Sequence, residues 1–118
     1  MRRRAGFVVA AALAIGLLAG PAGARPHPSG TFHCRMSATK LGPRIEVTFR
    51  LRGSVAGRAW RVRMWDGGVR FVDRTRVSDA SGRLKAVGST RNRPGPDEIV
   101  GIARDQVTGA RCEVELSI

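Results

Sequence analysis

From residue 32 onward, apolar side chains recur at every second position, and this period of two constrains the fold more than any other feature of the chain. The clearest stretch is residues 45–51, where isoleucine, valine, phenylalanine and leucine alternate with charged or polar residues. Successive side chains of a strand point to opposite faces, so such alternation is typical of a half-buried β-strand. No helical periodicity interrupts the pattern, which therefore predicts an all-β domain.

Turn-forming residues divide this region into about seven short strands, spaced by roughly ten residues. The sequence Asp79–Gly82 has the residue types of a tight hairpin turn, because Asp bonds its own backbone and Gly tolerates a positive φ. Other turns are expected at Gly42–Pro43, Gly53–Gly57, Asp66–Gly68, Pro94–Pro96 and Thr108–Gly109. Regularly spaced short strands of this kind predict an antiparallel β-sandwich.

The alternation also predicts which residues face the core. The expected inward positions are Phe32, Cys34, Met36, Ile45, Val47, Phe49, Leu51, Trp60, Val62, Met64, Val69, Phe71, Thr75, Val77, Leu84, Ala86, Cys112, Val114, Leu116 and Ile118. Residues 98–103 are apolar at both sets of positions. That composition fits a central strand covered on both sides, or one whose second face is exposed for a partner.

The first 24 residues have the organisation of a secretory signal peptide. Arg2–Arg4 precede the uncharged stretch 5–20, and Ala22 and Ala24 have the spacing that a signal peptidase accepts, which places the cut before Arg25. The alternative, a permanent anchor, would want about 20 apolar residues, and this stretch is shorter. We expect a secreted or cell-envelope protein with a flexible leader at 25–30, a single domain at 31–118 and no membrane span after cleavage.

Cys34 and Cys112 are the only cysteines, and they lie near the two ends of the domain. An even count in an exported protein predicts a disulfide, and closing a loop of this length contributes about 4 kcal/mol in the chain-entropy model. The alternative is a pair of buried free thiols.

Arginine dominates the charge of the chain. Removing residues 1–24 takes three of the 21 basic residues and none of the nine acids, leaving a net charge of +9. Such a balance is typical of proteins with an anionic partner, such as nucleic acid, a cell-wall polymer or an anionic membrane surface. Lys40 and Lys85 are the only lysines, however, and abundant Arg with Ala, Gly and Val is also what a GC-rich coding sequence produces. Only the placement of the arginines is therefore informative.

That placement defines a candidate binding face. Arg50 and Arg52 alternate outward on one predicted strand, Arg61 and Arg63 do so on the next, and Trp65 falls on the same side as the second pair. Arginine together with an aromatic residue is typical of binding hot spots. The face would be divided if the two strands belong to opposite sheets, and Trp65 could instead lie beneath a loop. With no tyrosine and one candidate aromatic, stacking readout of nucleic acid is not expected.

No arrangement of residues indicates catalysis. His33 and Cys34 are neighbours, so on a strand they face opposite sides. A structural zinc site usually has four Cys or His ligands, and of the four such residues in this chain His27 lies in the predicted leader. Asp97 and Glu98 are neighbours as well, which gives no support to a paired-carboxylate mechanism. We expect no cofactor, no metal and no enzymatic activity.

The second half of the domain carries a recognisable set of residues: Trp60, Val62, Met64, Thr75, Asp79, Ser81, Gly82, Asp97, Ile99, Ala103, Thr108, Gly109 and Cys112. It resembles small exported bacterial immunoglobulin-like sandwiches of the transthyretin-like or carboxypeptidase-regulatory type. The resemblance implies an immunoglobulin-like sandwich of about seven strands and does not specify a function. In antibody-type domains the bridge joins two central strands, whereas here the cysteines lie on the terminal strands.

Two functional hypotheses follow. The first is a secreted, non-enzymatic interaction module that binds an anionic surface polymer or a protein partner through a basic face. The second is a structural or accessory protein of the cell envelope without a specific ligand. Arginines clustered beside an exposed Trp65 would favour the first hypothesis, and evenly scattered arginines the second.

Overall fold

The computed structural model describes residues 32–118, so the predicted signal peptide (1–24) and leader (25–30) lie outside the described residues. Within residues 32–118 the regular elements are all strands. Their bounds are β1 His33–Leu41, β2 Arg44–Arg52, β3 Ala59–Asp66, β4 Val69–Val77, β5 Leu84–Arg91, β6 Glu98–Asp105 and β7 Arg111–Ser117. No helix in this part of the chain is long and apolar enough to cross a membrane.

The strands form two antiparallel sheets. A three-stranded sheet has the order β1-β2-β5, and a four-stranded sheet has the order β4-β3-β6-β7. The two sheets pack face to face, which confirms the predicted all-β sandwich of seven strands. The hairpin turn at Asp79–Gly82 also forms, with the amide of Gly82 donating to the Asp79 carbonyl at 2.9 Å and a φ of 76° at Gly82.

The core lies between the sheets; its fully buried side chains come from β2 to β6, and partly buried side chains of β1 and β7 pack against them. Its largest fully buried side chains are Trp60 and Phe49. The buried indole of Trp60 packs edge to face on Phe32, with ring centroids 5.2 Å apart, and its Nε1 donates to Ser54 Oγ at 2.9 Å. The polar end of the side chain is thus satisfied while its apolar body is removed from water. The buried apolar residues are Ile45, Val47, Phe49, Leu51, Trp60, Val62, Met64, Val72, Leu84, Ala86, Ile99 and Ala103.

Strand β4 departs from the predicted alternation. Val69 and Val77, both expected in the core, are 57% and 62% exposed, whereas Val72 is only 3% exposed. Val77 is turned outward by a register shift next to Met64, where one extra residue of β4, Phe71, is accommodated between paired positions. Val69 lies on the other side of this shift, opposite Asp66, at the end of the strand. A bulge of one residue reverses which side chains face inward, so Val72 enters the core and Phe71 packs at its margin.

The two sheets are joined differently along their two sides. On one side, Cys34 on β1 and Cys112 on β7 form a disulfide with a Cα–Cα distance of 6.2 Å, which confirms the predicted pairing. On the other side, β4 lies against β5 without a covalent link. Arg74 Nη1 donates to the Val87 carbonyl there at 3.0 Å.

Close approach of β4 and β5 depends on a glycine. A Cβ atom at Gly88 would lie 2.1 Å from Val72 Cγ2, far inside van der Waals contact. The absent side chain therefore lets this edge of the sandwich close.

Candidate binding surfaces

The five residues of the predicted face lie on two different sheets. Arg50 and Arg52 project from the solvent-facing side of the three-stranded sheet. Arg61, Arg63 and Trp65 project from the solvent-facing side of the four-stranded sheet. Each group lies on the far side of the core from the other, so the five residues cannot contact one ligand surface together.

On the four-stranded sheet, Asp73 of β4 neutralises part of the positive charge. Arg61 donates to both of its carboxylate oxygens at 2.8 Å. Arg63 and Arg70 lie further off, at 3.8 and 3.5 Å. The hydrogen bonds from Arg61 hold the pKa of the Asp73 carboxyl below its usual value, and the charges of the three arginines act in the same direction. The guanidinium of Arg61 is thus largely committed to an internal partner.

The three-stranded sheet carries a row of cations instead. Arg35 of β1 lies directly opposite Arg50 of β2, and Arg50 lies directly opposite Lys85 of β5. Neighbouring strands are about 4.8 Å apart, so the row places three positive charges across roughly 10 Å of surface. Within residues 32–118, none of the ion pairs includes any of these three side chains.

Further basic residues extend the row into a groove. It has a volume of about 460 Å³, and the buried residues Leu51 and Leu84 are among those that line it. We call it the cationic groove and define it by His33, Arg35, Arg50, Arg52, Arg83 and Lys85. Asp79, the single acid in its lining, accepts backbone N–H bonds from Ser81 and Arg83 at 2.8 and 3.0 Å. These bonds lower the pKa of the Asp79 carboxyl, because the backbone amides of the turn stabilise its charged form.

Four groove residues, His33, Arg35, Lys85 and Arg83, were missed by the sequence prediction. Each occupies an outward position on or beside a strand of the three-stranded sheet. The alternation shows that they face outward, but not that β1 and β5 flank β2. The strand order would have shown that these residues flank Arg50 and Arg52 on the same face of the sheet.

The solvent-facing side of the four-stranded sheet has a mixed character. Trp65 is partly exposed there and lies directly opposite Val100 of β6, while Arg63 lies opposite Ile102. Residues 98–103 therefore form a central strand whose second face, at Val100 and Ile102, is only partly covered. Apolar side chains next to arginines make this surface chemically distinct from the cationic groove.

Among residues 32–118, no three His, Cys, Asp or Glu side chains are grouped so as to hold a metal ion. Fold and surfaces together define a small, disulfide-linked, all-β sandwich with a strongly basic sheet face. No protein-family model, no curated protein and no solved structure matches this chain significantly.

Proposed function

We propose that this protein is a secreted, non-enzymatic interaction module that binds an anionic polymer through the cationic groove. The observation that carries the proposal is the row formed by Arg35, Arg50 and Lys85. Like charges directly opposite on neighbouring strands destabilise a sheet. A polyanion lying across the strands would remove this repulsion and supply the missing counter-charges.

The composition of the groove favours a polymer of sulfate or phosphate groups. Its rim carries guanidinium and ammonium groups from three strands, and guanidinium binds such oxyanions in a bidentate manner. Trp65 lies on the other sheet, and no Phe, Tyr or Trp side chain lines the groove. Contacts with charge, and not base stacking, would therefore determine its affinity.

Two features support secretion. The sandwich contains a disulfide, a bond typical of oxidising compartments outside the cytoplasm. The chain also begins with the order of charged, apolar and small residues that signal peptides share. We propose that cleavage before Arg25 releases the domain to the cell envelope or the medium.

The strand order supports an immunoglobulin-like relationship. Constant-type immunoglobulin domains place strands one, two, five and four in one sheet and three, six and seven in the other. Here six of the seven strands occupy the equivalent sheets, and β4 pairs with β3 instead of β5. Such a sandwich hosts many functions, so the groove and not the fold carries the functional proposal.

The test is binding of the secreted protein to heparin and to a teichoic-acid-like polyphosphodiester over a salt series. We expect affinity to fall steeply with salt, because bound polymer releases condensed counterions. The variant Arg35→Ser/Arg50→Ser should weaken binding strongly and reduce the salt slope by about two charges.

The matched control is Arg76→Ser/Arg91→Ser, which removes the same charge outside the groove. Both arginines are exposed, and neither is in an ion pair within residues 32–118. Equal losses from the two variants would contradict the groove and favour the second hypothesis, an accessory envelope protein whose net charge alone matters.

A further inference from the structure

We infer a second binding site, on the outer face of the four-stranded sheet, for an acidic peptide segment of a protein partner that carries one apolar anchor side chain. The site is a depression of about 220 Å³. We call it the arginine cup, and its lining residues are Arg61, Arg63, Trp65, Ile102, Arg104 and Arg111. It is independent of the cationic groove because it lies on the opposite side of the sandwich.

The floor of the cup is apolar. Trp65 and Ile102 are both partly exposed and lie on the adjacent strands β3 and β6. The volume is below the range of about 300–1,000 Å³ typical of small-molecule pockets. A floor of this size fits one side chain of a partner, such as leucine or phenylalanine, better than a free metabolite.

The rim is formed by a second cross-strand row, in which Arg61, Arg104 and Arg111 lie directly opposite one another on β3, β6 and β7. The outer two have internal partners: Arg61 is bound by Asp73, and Arg111 lies 3.3 Å from Glu113. Arg104 forms no ion pair within residues 32–118. The central guanidinium therefore has donors for a carboxylate of the partner, next to the apolar floor.

Charges around the cup favour a peptide over a polyanion. Asp73 borders it on β4, and Glu113 and Glu115 border it on β7, so a continuous run of anions would meet like charge on both sides. A short segment with one carboxylate over Arg104 and one apolar residue over Trp65 places no negative charge next to the acidic residues of β4 or β7. Tryptophan and arginine are also the residue types that dominate protein–protein hot spots.

The probe is a synthetic peptide with one phenylalanine and one glutamate among neutral residues, titrated into the secreted protein. Two control peptides carry serine in place of the phenylalanine, or glutamine in place of the glutamate. We expect the first peptide to bind at least about tenfold more tightly than either control, a difference of about 1.4 kcal/mol, because each control lacks one of the two hot-spot contacts. Binding should also protect the indole of Trp65 from acrylamide quenching, whereas Trp60 is already buried.

The variant Arg63→Gln/Arg104→Gln should weaken peptide binding by about tenfold or more, and Arg76→Gln/Arg91→Gln should change it by less than about threefold. Unfolding midpoints measured beside the titrations establish that both variants are folded. Peptide binding should persist in the presence of saturating heparin. The experiment therefore tests the arginine cup separately from polymer binding at the cationic groove. Equal binding of all three peptides, equal losses from both variants, displacement by heparin, or self-association of the protein in place of peptide binding would each overturn the inference.

Discussion

Cys34 and Cys112 connect the outermost strand of one sheet to the outermost strand of the other. The bond therefore closes the sandwich along one side, in addition to linking the two ends of the domain. In the chain-entropy model, a loop of 78 residues contributes about 4 kcal/mol to stability by restricting the unfolded chain.

The variant Cys34→Ser/Cys112→Ser should accordingly lose about 4 kcal/mol of unfolding free energy, measured by urea denaturation. The double substitution leaves no unpaired thiol to form mixed disulfides. A loss below about 1 kcal/mol, within the ordinary scatter of point mutations, would show that the bridge does not stabilise the domain.

Secretion predicts the covalent state of the protein. The extracellular species should begin at Arg25 and contain no free thiol, because oxidation follows export. Intact-mass measurement with and without reduction, each followed by alkylation, determines both properties. Retention of residues 1–24, or alkylation of both cysteines without reduction, would contradict this expectation.

Gly88→Ala should destabilise the sandwich by about 1–3 kcal/mol, the usual cost of forcing extra atoms into a packed core. The new methyl group would overlap Cγ2 of Val72, which lies on the opposing sheet. Thermal unfolding measures the loss. The control is Gly88→Ala combined with Val72→Ala, which removes the clashing atom. If the double variant is no more stable than the sum of the two single changes predicts, the close contact is not the cause.

Asp105 should make stability dependent on pH under acidic conditions. Its carboxylate is buried, pairs with Arg58 and accepts the backbone amides of Val107 and Thr108. Burial alone would raise the pKa of this carboxyl, but these hydrogen bonds outweigh it and lower the pKa from 3.8. The unfolded chain then binds the proton more tightly, so the contribution to stability is full above 3.8 and is lost as the pH falls through the lowered value.

Asp105→Asn should lower the unfolding free energy at pH 7 by about 1.5–3 kcal/mol, as expected for hydrogen bonds to a charged group. Its unfolding midpoint should also fall less than that of the native protein between pH 5 and pH 2, because the variant has no carboxylate at this position to be protonated. Glu115→Gln, a change at an exposed carboxylate, serves as the control. Parallel pH profiles for the native protein and Asp105→Asn would argue against this role.

Arg50→Gln should raise the unfolding free energy at low salt by roughly 0.2–1 kcal/mol, because it interrupts the row between Arg35 and Lys85. The gain should disappear near 1 M salt, where exposed charges are screened over about 3 Å. Urea denaturation at the two salt concentrations provides the comparison. A loss of stability at low salt would mean that the row is not repulsive in the free protein.

Local patterning predicted most of the fold. On β2 and β3 the alternation identified every buried apolar residue, including Ile45 and Trp60, because those strands pair on both sides. On β4 it failed at Val77, since the bulge at Phe71 arises from pairing with β3 and leaves no mark in the spacing of apolar residues.

The binding surfaces were less predictable for a related reason. Alternation gives the direction of a side chain relative to its own strand, but not the sheet to which the strand belongs. Arg50 and Arg61 are thus both correctly placed outward and yet lie on opposite sides of the molecule. Lys85, the neighbour of Arg50, comes from a strand distant in sequence. Asp73, the partner of Arg61, comes from the next strand along the chain and is turned outward by the bulge.

The two margins of the sandwich should differ in how readily they open. One margin of the sandwich is held by a covalent bond, while the opposite margin, between β4 and β5, is held by side-chain packing and by one hydrogen bond from Arg74. The disulfide therefore restricts separation of the two sheets at one margin, and the opposite margin is free of any covalent restraint. Transient opening should begin at the β4–β5 seam, so amide hydrogens of β4 should exchange with solvent sooner than those of β2 and β6, which are paired on both sides.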